Sequence, residues 1–180
     1  ATAKSNITLD SSANQLEKVS VANTAGNVAI GSGNSQNANA LAVTTNGQIK
    51  GNLSIINYAD SSSYNNAIVF DNNLKATENI TITNQEAGIN VNKNAAIEGA
   101  NVALTASTSA NITGGTISTG SMDIYANNAS ISGGNISTDD MDVYANNANI
   151  SGGTISADDM DIEANNATIS GGSIKAKAID

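Results

Sequence analysis

Apolar and polar residues alternate along much of the chain. The alternation is strictest in the second half, where Met141-Asp142-Val143-Tyr144-Ala145 is followed by Ala148-Asn149-Ile150-Ser151. A period of two residues predicts strands that turn one face toward a core. The pattern also returns at a fixed interval. Ile112, Ile131, Ile150 and Ile169 recur at every nineteenth position, and so do Ile117, Ile136, Ile155 and Ile174. Met122, Met141, Met160 and Ile179 make a third file, and Ile124, Val143 and Ile162 a fourth. Gly114-Gly115, Gly133-Gly134, Gly152-Gly153 and Gly171-Gly172 recur with them, as do Asn127-Asn128, Asn146-Asn147 and Asn165-Asn166. A strict period of this length marks a solenoid.

Helical repeats need about 30 residues or more per unit, and the abundant Gly and Asn disfavour helix interiors. The strands are short, and the Gly and Asn pairs, both able to adopt positive φ, are expected at corners. The chain therefore reads as all-β: a right-handed parallel β-helix, a solenoid with 19-20-residue coils. Inward Ile, Val, Met and Ala would stack on their equivalents about 4.8 Å away along the axis. A left-handed helix of six-residue units is the rival, but 19 is not a multiple of six and the apolar spacing is uneven.

Residues 1–180 form a single β-helical segment on this reading, regular over 111–180 and less so over 1–110. The first part carries apolar pairs around one residue: Ile7-Thr8-Leu9, Val19-Ser20-Val21, Val28-Ala29-Ile30, Leu41-Ala42-Val43, Leu53-Ser54-Ile55, Ile80-Thr81-Ile82, Ile89-Asn90-Val91 and Val102-Ala103-Leu104. The step from the last of these to Met122-Asp123-Ile124 is one position more than the later period, which predicts a coil one residue longer. Residues 57–75 break the rhythm and hold the only Phe and two of the four Tyr; a protruding loop or an extra strand pair is expected there, and with it any binding role. Nine or ten coils would give a rod of about 45 Å. The chain starts at Ala1 without a signal peptide, as expected of a processed chain or an excised fragment. The repeat is still strong at Asp180 with no polar cap, so the natural protein is expected to continue.

Composition narrows the core and the partners. Aromatic residues are 3% of the chain, too few to fill a wide interior, and the apolar content is mostly Ile, Val and Ala, the first two stiff at χ1 and suited to strands. No Cys is present, hence no disulfide framework. The formal net charge is −9 and all seven basic residues are Lys, which argues against nucleic acid as a partner. No apolar run approaches the length of a membrane span, so the chain is not expected to be membrane-embedded.

The stretch NNASISGGNISTDDMDVYANNANISGGTISADDMDIEA, within 127–164, resembles the repeat region of filamentous-haemagglutinin-type adhesins, the large exoproteins of two-partner secretion. Their repeats are of similar length, with a Gly-Gly corner and alternating aliphatic strands. The likeness covers 111–180 clearly and 1–110 weakly. It implies a right-handed β-helical protein at the Gram-negative cell surface or outside the cell. Such a protein passes an outer-membrane transporter during secretion and serves adhesion, aggregation or delivery of a distal toxin tip. Its partner would be a receptor or glycan on a host or bacterial surface. That family's secretion domain carries an Asn-Pro-Asn-Gly-type motif; this chain has no Pro and would be an internal shaft segment. Self-associating autotransporter passengers also carry Ser-Gly-Gly repeats, and ISGGTIS, residues 150–156, is similar to those as well.

Candidate chemistry is sparse. A polysaccharide-cleaving β-helix needs a general base and a charged stabiliser. This chain has no His or Arg and only scattered Lys, so it is read as not an enzyme and no catalytic residue is assigned. Asp139, Asp140 and Asp142 recur as Asp158, Asp159 and Asp161, with Asp123 and Glu163 in matching columns. Stacked like charges invite a cation such as Ca²⁺, which takes six to eight oxygens. The favoured reading is a solvated acidic stripe that keeps the rod soluble, with no metal or cofactor assigned. The Asn pairs are expected to form side-chain ladders along the axis. Sequons at Asn6, Asn52, Asn79, Asn111, Asn128, Asn135, Asn149 and Asn166 are about as many as chance predicts in so Asn-rich a chain. Tyr125 and Tyr144 form an outward aromatic pair, and mixed Ser and Thr columns such as Ser132, Ser151 and Ser170 lack the regular Thr array of an ice binder.

Overall fold

Every one of the apolar triplets in the first half lies in a strand. The computed structural model describes residues 6–10, 14, 16, 18–22, 25–32, 41–58 and 68–180. These residues are all-β, without helix, and every strand ladder is parallel. The chain winds so that successive coils add strands to two faces and, from Asn73 onward, to a third, which is the parallel β-helix expected from the sequence.

The first face holds Ile7–Leu9, Val28–Ser32, Leu53–Asn57 and Ile80–Asn84, then the opening parts of four long strands, Asn101–Ser118, Ser121–Ser137, Asp140–Ile150 and Asp159–Ile169. The second holds Lys18–Ala22, Leu41–Asn46, Ile68–Phe70 and Ile89–Val91, then the later parts of the same long strands. The third holds Asn73–Lys75, Ala96–Glu98, the ends of Asn101–Ser118 and Ser121–Ser137, Thr154–Ser156 and Ser173–Lys175. In the later coils the strands run unbroken around corners, so the faces join into one continuous sheet.

The stack is shorter than the sequence suggests. The partners Ile7, Val28, Leu53, Ile80, Val102, Met122, Met141 and Met160 form eight rungs, and hence seven turns. At about 4.8 Å per turn the first and last rungs are about 34 Å apart, not about 45 Å. Triplets such as Ile7–Leu9 and Val19–Val21 sit on two faces of one coil. Early coils are also longer than later ones, most of all between Leu53 and Ile80, because their connections between the first and second faces are longer. Asn57 and Ile68 bound ten intervening residues, whereas Asn84 and Ile89 bound four. The extra residue expected before Met122 is present as a register shift between Ala106 and Ser109.

Residues 68–75 of the irregular stretch are wound into the stack rather than projecting from it. Ile68, Phe70 and Leu74 are buried, and Ile68–Phe70 pairs with strands in the coils on either side. The protruding loop or extra strand pair expected over 57–75 is thus absent from 68–75, and residues 59–67 of that stretch lie outside the described residues.

The core is a set of vertical files. Val28, Leu53, Ile80, Val102, Met122, Met141 and Met160 form one, each at most 1% exposed, and Leu74, Ile97, Ile117, Ile136 and Ile155 another. Burying an Ile, Leu or Met side chain contributes about 1.5–3 kcal/mol. The hydrophobic contribution therefore accrues coil by coil. The files open at the last coil, where Ile169 and Ile179 are about half exposed.

Corners use two devices. A Cβ on Gly171 would lie 2.5 Å from the carbonyl oxygen of Ser151 one coil away, and one on Gly152 would collide with the Ser132 carbonyl oxygen. The first glycine of each pair therefore permits close approach of backbones. The second glycine turns the chain through positive φ, 83° at Gly153. The Asn pairs do not share this role. No described residue other than Gly has positive φ, so the expectation that Asn-Asn corners use the left-handed region is wrong. Their contribution is hydrogen bonding.

Candidate functional site

The acidic residues of the second half occupy one corner and the adjoining first face. Asp140 and Asp159 continue a file from Asn101 and Ser121; Asp123, Asp142 and Asp161 form the next file outward along the strand. Strand alternation causes this spacing, because Met141 and Val143 point inward and leave Asp140, Asp142 and Tyr144 outside. Asp139 and Asp158 sit at the turn itself, where the Asp158 amide donates to the Asp139 carbonyl at 2.8 Å. In the last coil Lys177 takes the corresponding place, and its Nζ lies 2.7 Å from Asp158 Oδ2. That contact raises the Lys177 pKa, through its hydrogen bond to Asp158 first and then the same group's charge.

Ser121, Asp140, Asp142, Asp159, Asp161 and Asp180 line an open, shallow depression of about 440 Å³. Asp142 is the least exposed of its carboxylates. Partial burial raises its pKa, with the charges of Asp123, Asp161, Asp140 and Glu163 acting in the same direction. Among the described residues no three acidic, His or Cys side chains converge as a metal-ligand set. The carboxylates stand in register as files, which attract cations at long range without forming a cage.

The Asn ladders are present. Asn146 Nδ2 donates to Asn127 Oδ1 at 2.5 Å and Asn165 to Asn146 at 2.9 Å; Asn147 and Asn166 repeat the arrangement at 2.9 and 3.0 Å. A primary amide both donates and accepts, so such a file satisfies itself. Sequence reasoning missed a longer file at the entry to the first face. The Asn27 amide donates to Asn6 Oδ1, the Asn52 amide to Asn27 Oδ1, the Asn79 amide to Asn52 Oδ1, and Asn101 Nδ2 to Asn79 Oδ1. It also missed an interior polar file, Ser32, Asn57 and Asn84, at most 3% exposed. Asn84 there accepts from the Ala87 amide and donates to the Gly88 carbonyl, closing a tight corner.

Tyr125 and Tyr144 are register partners, with ring centroids 4.8 Å apart and planes 4° from parallel. The Asp142 charge leads the effects that raise the Tyr144 pKa. Tyr58 is held differently, its hydroxyl donating to Asp10 Oδ1 at 2.9 Å.

No family model, curated protein or solved structure matches the chain. No helix among the described residues is long and apolar enough to cross a membrane.

Proposed function

We propose that the chain is a shaft segment of a large bacterial surface-exposed or secreted adhesin, acting mechanically as a stiff spacer in attachment or aggregation. The supporting observation is the unbroken stacking of seven parallel turns on continuous inward files, which makes each coil the template for the next. A rod of this kind resists bending because parallel hydrogen bonds run along two faces from the first coil and along a third from Ile49 onward. Its outward surface of Asn, Ser, Thr and Asp is well solvated and carries net negative charge, which suits an extended element held in water.

Adhesion at a surface receptor or glycan, and passage through an outer-membrane transporter, belong to the same proposal. They rest on the resemblance of 111–180 to the filamentous-haemagglutinin type. The test couples the purified chain to beads. A shaft gives beads that bind cultured cells and matrix proteins no better than uncoated ones, while electron micrographs show rods. Saturable attachment would move the binding role into this segment. Release of reducing ends from a panel of polysaccharides would replace the reading with an enzymatic one.

A further inference from the structure

We propose that Tyr125 and Tyr144 form an oxidative crosslinking site, at which a haem peroxidase using hydrogen peroxide joins the two rings and fastens two successive coils covalently. Parallel in-register pairing places the residues directly above one another. Ring centroids 4.8 Å apart and planes 4° from parallel leave the rings separated by no more than the strand spacing itself. Tyr125 is 43% exposed and Tyr144 partly exposed, so an outside oxidant reaches the pair and both rings have room to turn. The aromatic file is two rings long, bounded by Thr105 on one side and Glu163 on the other, which confines the radical to this pair.

Each phenol loses one electron and one proton and becomes a phenoxyl radical with spin at the carbons ortho to oxygen. Two ortho carbons couple to form one C–C bond. Each ring then sheds the hydrogen at its coupling carbon to the phenolic oxygen, which restores aromaticity. In total two ring C–H bonds break, one C–C bond forms, and one hydrogen peroxide is reduced to two waters. The solenoid holds the partners together throughout. At about 1 µM protein, an effective concentration in the millimolar range favours the bond within a molecule over one between molecules by about a thousandfold. Tyr58 provides the contrast, with its hydroxyl on Asp10 and no ring partner among the described residues.

The test treats dilute folded protein with a haem peroxidase and limiting hydrogen peroxide. The expected product is a monomer lighter by two hydrogens, with dityrosine fluorescence and a linked peptide pair containing Tyr125 and Tyr144. Tyr125→Phe and Tyr144→Phe, which keep the stacked ring, each abolish the intramolecular link, and Tyr58→Phe leaves it unchanged. Circular dichroism confirms that the variants fold. The proposal is overturned if the link survives in either Phe variant at those positions. It is equally overturned if the product is only intermolecular, or if urea-unfolded protein gives the same intramolecular yield.

Discussion

Replacing Asp142 with Asn should stabilise the protein at neutral pH. The carboxylate stands between Asp123 and Asp161 in one file, with Asp140 and Glu163 contributing to the same field. Two unit charges about 4.8 Å apart repel by about 0.9 kcal/mol in water, and like charges directly opposite across strands are destabilising. Two such neighbours, with side chains free to splay into solvent, give about 1 kcal/mol for the Asp142 charge. Asn keeps the shape and removes the charge. The sign with pH follows from the raised pKa of Asp142. The folded state holds the proton more tightly than the unfolded chain does, so the charge destabilises above the folded pKa. The penalty fades as pH falls through that value and is gone below the unfolded value of about 3.9. Urea melts of parent and variant at pH 7 and pH 3, followed by amide exchange over 140–169, measure the difference. D142N should gain about 1 kcal/mol at pH 7, nothing at pH 3, and less at about 1 M salt, where the Debye length is about 3 Å. A variant less stable than its parent at pH 7 would refute repulsion. If chelator abolished that loss, the carboxylate file would instead be bridged by a cation.

Two further substitutions test the stacking itself. Ile136→Ala empties a site 2% exposed between Ile117 and Ile155 and should cost about 2–5 kcal/mol in chemical denaturation, whereas Ser137→Ala on the outward side should stay within about 0.5 kcal/mol. Gly152→Val forces a Cβ into the Ser132 carbonyl oxygen; a loss of about 1–3 kcal/mol and faster exchange at the Ser151 amide, which donates to Ile131 at 2.9 Å, are expected.

The parts of the fold that were legible in sequence are those governed by local alternation. Met141-Asp142-Val143 declares a strand and its inward face, and the constant spacing of Ile112, Ile131, Ile150 and Ile169 declares which residues stack. What escaped was whatever depends on coils of unequal length. The file Asn6, Asn27, Asn52, Asn79 and Asn101 has no period, because its successive members are 21, 25, 27 and 22 apart in the chain. A signal existed nonetheless, since each of these residues directly precedes an apolar-x-apolar triplet. The interior Ser32, Asn57 and Asn84 escaped for another reason: alternation places them on the inward face after Ile30, Ile55 and Ile82, but their polarity reads as outward, and only the closing of a corner by side-chain bonds makes an inward Asn tolerable.

The two halves of the rod solve one corner with different chemistry. An Asn file hydrogen-bonds to itself from end to end, whatever the coil length. In the file that continues it the backbone amides of Ser121, Asp140 and Asp159 donate to the carbonyls of Ala100, Gly120 and Asp139 instead of to a side chain, and the stacked carboxylates have no donor between them. The regular half therefore forgoes a ladder at this corner and places repelling charge there. It recovers the ladder at the next corner, twice over, through the Asn127 and Asn128 files. Moving the amides and holding the coil to one constant length leave a charged edge along the regular half. Such an edge opposes side-by-side pairing of two rods while leaving the stacking along the axis intact.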